Sequence, residues 1–137
     1  GNELYFSASD NTNPLTNGRT YTYAVGTGTA SQPPATPSPA YRESTINITQ
    51  AIHESGNAYW VAQNFGVTGD SSQALTASTL RIFENGMELG PAHTLHATIR
   101  QLGGGRFSHW GNELYFSASD NTNPLTNGRT YTYRIYT

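Results

Sequence analysis

TLRIFENGMELG, residues 79–90, is the stretch that decides the fold. Two runs of alternating apolar and polar residues flank Asn85-Gly86, a pair that accepts the positive φ angles of a type I′ turn. A helix would need a period near 3.6, and this stretch has a period of two, so it predicts a β-hairpin. Moving outward, RFSHW and ELYFSAS flank Gly111-Asn112 and predict a second hairpin. RTYTYRIYT (129–137) closes the chain with the same alternation. On the other side, AYWVAQNFGV (58–67) is an aromatic and β-branched run ended by the turn-like TGDSS, and TINIT (45–49) alternates as a half-buried strand does. One segment departs from this pattern. In HTLHATIRQLGGG (93–105), Leu95, Ile99 and Leu102 recur at i, i+4 and i+7, Thr94 stands at an N-cap position, and Gly103 stands where a C′ glycine belongs. That predicts a short helix at about 95–102, with a strand as the alternative. About seven strands and one short helix predict a mainly β fold: a small antiparallel β-sandwich, Ig-like or jelly-roll-like.

Composition excludes several classes of function. Charged residues make up 12% of the chain and the net charge is −2, which leaves no basic footprint for nucleic acid. No apolar run is long enough to span a bilayer. With no cysteine, disulfides, thiolate metal sites and thiol nucleophiles are absent together. All seven basic residues are arginine, so Schiff-base and P-loop chemistry are excluded as well. A Thr/Asn/Tyr-rich chain of this kind suits an extracellular or cell-surface bacterial module. Asn47-Ile48-Thr49 is a formal glycosylation sequon, a triplet that arises easily by chance.

The chain repeats itself. GNELYFSASDNTNPLTNGRTYTY stands at 1–23 and again, letter for letter, at 111–133. Between Tyr23 and the domain lies AVGTGTASQPPATPSPA (24–40), whose small residues and prolines favour an extended linker. The offset of 110 residues suits one domain plus its linker better than a solenoid repeat. Residues 1–23 therefore read as the tail of a preceding repeat, and 41–137 as a β-sandwich domain. The first copy has the second strand of the Gly111-Asn112 hairpin without the first, so it predicts a donor strand carried by Leu4, Tyr5, Phe6, Tyr21 and Tyr23. An engineered duplication, with the two copies competing for one place, is the other reading of the repeat.

Candidate chemistry is sparse. His93 and His96 would share a face on a helix, but no third metal ligand accompanies them. Ser108 and His109 are neighbours that face opposite ways on a strand, so they form no nucleophile–base pair. No reaction is expected. GGG at 103–105 lacks the following helix of a phosphate-binding loop and reads as a helix stop. In SASDNTNPLTNGR, Asp120, Asn121, Asn123 and Asn127 supply closely spaced oxygens that could hold Ca²⁺, while Asx-turns explain the same letters structurally. No other cofactor is expected. Tyr59, Trp60, Trp110, Tyr115, Tyr131 and Tyr133 could form a sugar-stacking platform, or simply fill strands and core. Tyr131 and Tyr133 share a face and, with Tyr115, could make an aromatic strip on the outside or at an interface.

Over residues 83–133 the motifs ENGxxLGPxHxxH, GRFSHW and FSxSDNxxPxTNGRxY resemble those of a small bacterial domain. That domain is appended to methyltransferases, glycosyltransferases and other envelope- or sugar-related proteins. The resemblance implies a module and no reaction. Taken together, these features predict a non-enzymatic structural module of a tandem-repeat surface protein or filament. It would assemble with other copies by donor-strand pairing; a carbohydrate-binding module for glycans, with or without calcium, is the alternative.

Overall fold

The structure is a computed structural model that describes residues 3–23 and 38–137, which fall in two compact units, Gly1–Pro37 and Ser38–Thr137. Most of the linker expected at 24–40 lies outside the described residues. The second unit is mainly β, with two four-stranded antiparallel sheets. The first sheet has β1 (Tyr41–Thr45), β8 (Tyr131–Tyr136), β4 (Arg81–Glu84) and β5 (Met87–Glu88), in the order β1-β8-β4-β5. The second has β2 (Ile52–Ser55), β3 (Ala58–Ala62), β7 (Glu113–Phe116) and β6 (Phe107–Trp110), in the order β2-β3-β7-β6. One helix, α1 (His96–Leu102), crosses β3, β7 and β6. Among the described residues no helix is long and apolar enough to cross a membrane.

The period of two decides which side chains enter the core. Along β8, Tyr131, Tyr133 and Ile135 are buried while Thr132, Arg134 and Tyr136 are half-exposed. Ile82 joins them from β4, and Val61, Phe107, Leu114 and Phe116 face them from the second sheet. Phe65 fills the gap between the sheets, meeting the Tyr133 and His109 rings edge-on at 5.1 and 5.0 Å.

Both predicted hairpins form. Asn85 and Gly86 have φ of +48° and +81°, as a type I′ turn requires. In the second hairpin only Gly111 has a positive φ, +58°, which is the type II′ arrangement. TINIT, expected as a strand, is not one. β1 ends at Thr45, Ile46 turns into the core, and Ile48–Gln50 form a 3-10 turn. Gln63 holds this bend, accepting the Asn47 N–H (2.9 Å) and donating to the Thr45 carbonyl (3.1 Å). The chain crosses there from one sheet to the other, so alternation in the sequence marked a corner.

The helix sits where the periodicity placed it, with two corrections. Thr94 is not its N-cap; that place is Leu95, and the Thr94 hydroxyl donates to the Pro91 carbonyl at 2.8 Å. Of the three periodic apolar residues only Ile99 is buried, because two turns of helix present one side chain fully to the sheet. Gly103 ends the helix with a φ of +56°, its N–H bonded to the Ile99 carbonyl. A Cβ there would strike the Asn121 side chain.

Candidate functional site

The duplicated segment is seen in two settings. In the domain it supplies β7, which lies between β3 and β6, and the first half of β8, which lies between β1 and β4. It is therefore a central strand of each sheet. Val61 is paired with Leu114, and Tyr59 with Phe116. In residues 3–23 the same letters form no strand among the described residues. Leu4, Phe6, Tyr21 and Tyr23 are 74, 53, 42 and 83% exposed, whereas their counterparts Leu114, Phe116, Tyr131 and Tyr133 are 0, 0, 1 and 8% exposed. Tyr5 is also exposed, like the four other residues expected in an assembly strand.

The loop between the strands keeps its form in both copies. Leu125 N–H donates to Asn123 Oδ1 and Leu15 N–H to Asn13 Oδ1, both at 2.9 Å. Arg129 N–H donates to Asn127 Oδ1 and Arg19 N–H to Asn17 Oδ1, both at 3.1 Å. Asn11 and Asn121 share the left-handed backbone, with φ of +57° and +64°. Asx-turns thus fold this loop from its own side chains, independently of a sheet.

What the domain adds is Glu84, at the end of β4. Its carboxylate accepts from Ser119 N–H and Oγ–H (3.1 and 2.5 Å), Tyr131 OH (2.9 Å) and Arg129 NH1 (2.9 Å). Burial alone would raise its pKa, but the bonds from Ser119 and Tyr131 and the Arg129 charge outweigh burial and hold it below the ordinary value. A lone Glu in a hairpin carries no sequence signal that it pins a loop about 35 residues away.

The calcium candidates are engaged within this loop. Arg129 holds Asp120 with two bonds, at 2.8 and 2.7 Å, and Thr122 bonds it as well, keeping its carboxyl well below the usual carboxylate range. Asn121 Oδ1 accepts the Gly104 N–H, and Asn123 and Asn127 accept from Leu125 and Arg129. A Ca²⁺ ion would have to displace the Arg129 guanidinium.

The six aromatic candidates separate into two groups. Tyr59, Tyr131 and Tyr133 belong to the core, so the expected strip of Tyr115 with Tyr131 and Tyr133 does not exist. Tyr131 and Tyr133 point inward from the first sheet, and Tyr115 points outward from the second. Trp60 and Tyr115, paired across β3 and β7, do stack on the outer face, with centroids 6.4 Å apart. His96 continues the row, lying flat on Tyr115 at 3.9 Å and meeting Trp110 edge-on at 6.1 Å. Tyr115 OH donates to Glu113 (2.8 Å), and burial together with that carboxylate pushes its pKa up to about 12.

Beside this row lies a cleft of about 560 Å³ that sequence reasoning missed. Its floor carries Asp70 and Ser108, each 2% exposed. His93 Nδ1–H donates to Asp70 Oδ2 at 2.7 Å, and Ser78 N–H to Asp70 Oδ1 at 2.8 Å. His96 Nε2 is buried without a partner among the described residues. Burial, then the Arg100 charge, lowers the His96 pKa, so the ring is neutral at pH 7. Ser108 lines this outer cleft, whereas His109 points inward to Ser78 Oγ (2.7 Å) and Phe65. The two face opposite ways, as their adjacency on a strand requires. Among the described residues no three His, Asp or Glu side chains converge as a metal ion would need. Compared with known proteins, the chain matches no family model, no curated protein and no solved structure.

Proposed function

We propose that this chain is a non-enzymatic β-sandwich module of a repeating surface or extracellular protein, joined to other copies of itself through the duplicated segment. The observation that carries the reading is the contrast between the copies. Identical side chains are core in one and solvent-facing in the other. The apolar surface of Leu4, Phe6, Tyr21 and Tyr23 has a complement of known shape, the place between β3 and β6 and between β1 and β4 of a neighbouring copy. Backbone pairing supplies affinity there, and the alternate side chains supply register. The preformed Asx-turn loop lowers the ordering cost of docking.

The last residues of β8 favour the domain's own copy. Arg134-Ile135-Tyr136 corresponds to Ala24-Val25-Gly26 after the first copy. Ile135 is buried, and Tyr136 packs on Tyr41 at 5.6 Å, while Arg134 bonds Glu43 and lies over the Phe83 ring. The methyl of Ile over Val and one aromatic pair together contribute about 1–3 kcal/mol, a preference of roughly 5- to 150-fold. A domain that holds its own copy thus leaves the first copy free for a neighbour.

The test is sedimentation of the chain 1–137 beside residues 41–137 over a range of concentrations. The longer chain is expected to associate as concentration rises, and the shorter one to stay monomeric. If both are monomers and chymotrypsin cuts at Phe6 and Tyr21 at every concentration, the proposal fails.

A further inference from the structure

We propose that the cleft between α1 and the outer face of β6 binds a neutral hydroxylated ring, of which a pyranose sugar is the type. This site lies on the outer face of the second sheet and is independent of the strand-pairing proposal.

The polar groups define the ligand. Asp70 cannot serve as a free anion, because both its oxygens already accept hydrogen bonds, from Ser78 and His93. An ionised carboxylate only accepts, so His93 must carry its proton on Nδ1. That leaves Nε2 as the hydrogen-bonding atom His93 can offer a ligand, with Asp70 fixing the ring orientation. His93 lies in this cleft with a φ of +55°, a costly backbone for a histidine, and is held there by the bond to Asp70. His96 Nε2 is a second imidazole nitrogen in search of a partner, and Ser108 brings a hydroxyl to the floor. Two imidazole nitrogens and a hydroxyl, with the one carboxylate already bonded, suit the hydroxyl groups of a neutral ligand.

The walls define its shape. Trp110 is 37% exposed, and Leu75 and Leu95 are more exposed still. An indole beside exposed leucines gives an apolar wall above a polar floor. A pyranose matches this, having an apolar C–H face and a rim of hydroxyls. The volume falls in the range of small-molecule sites.

The experiment uses the full chain, with methyl pyranosides of several configurations at millimolar concentration as probes. Binding is read from the Trp110 indole N–H signal and from saturation transfer to the sugar. At least one pyranoside is expected to shift Trp110, with affinity reduced at least about tenfold in both Trp110→Ala and His93→Asn. Asn tolerates the positive φ and can still donate to Asp70, so the shorter side chain of His93→Asn removes the group at the Nε2 position while keeping the backbone. Unchanged inward-facing methyl signals would confirm that both variants remain folded. No pyranoside shifting Trp110, binding that survives both substitutions, or binding of only purely apolar rings would each overturn the proposal.

Discussion

Leu114→Ala with Phe116→Ala, and separately Leu4→Ala with Phe6→Ala, remove the same atoms from the same local sequence and should have opposite consequences. Leu114 and Phe116 are fully buried, paired with Val61 and Tyr59 on β3. Truncating a buried Leu costs about 2–5 kcal/mol and a buried Phe about 3–5 kcal/mol. The two share one face of β7 and will not add cleanly, but the pair should cost at least about 5 kcal/mol. That approaches the whole stability of a domain this size. Leu4 and Phe6 are mostly exposed, so their truncation should lie within about 0.5 kcal/mol per site. Urea unfolding followed by fluorescence should show the first variant losing its monomeric transition, and the second matching the parent in midpoint and slope.

Donor-strand exchange adds a second expectation. The handicap on the domain's own copy exceeds the roughly 5- to 150-fold preference worked out above. An intact first copy from a neighbouring chain should therefore enter the vacated place, and sedimentation should show folded oligomers. Combining all four substitutions should abolish those oligomers along with the fold. A Leu114→Ala/Phe116→Ala chain that is unfolded and monomeric at every concentration would refute the reasoning.

Glu84→Gln should destabilise the domain by about 1–3 kcal/mol in urea titrations, because a charged acceptor of four bonds becomes a neutral one. The Glu84 pKa is lowered in the folded state, so its contribution is present above its ordinary value near 4.5 and lost as pH falls through the folded value. The parent should lose stability in acid more steeply than Glu84→Gln, as thermal melts against pH would show. Gly69→Ala should cost about 1–3 kcal/mol or more, since a Cβ there strikes the backbone of Gly111 in the β6–β7 turn; an unchanged Tm would contradict that packing.

The strands were legible where local chemistry and fold agree. Asn85-Gly86 demands a turn whatever surrounds it, and the alternation in 131–136 survives because β8 is buried on one face. The corner at 45–50 was not legible, because its cause is Gln63, a residue on the far side of another strand. For the candidate sites the limit was again non-local. Period two shows that Tyr131 and Tyr133 share a face, but only the partner strands reveal that this face is the inner one. Trp60 and Tyr115 are 55 positions apart and become neighbours through the β3–β7 register. The Asp70–His93 pair joins two loops of different parentage, which no spacing rule connects. The duplicated segment, by contrast, was evident at once, and the structure adds that its domain copy holds the middle of both sheets.

The most direct test of donor-strand pairing is amide hydrogen exchange at residues 3–6 and 21–23. The full chain would be refolded from denaturant together with residues 41–110, which carry β1 to β6 and lack the strands that belong between them. If the first copy completes a neighbouring sandwich, a one-to-one complex forms and those amides become protected as those of 113–116 and 131–133 are. If the mixture yields no complex and residues 3–6 and 21–23 exchange as freely as in the full chain alone, the central claim is wrong.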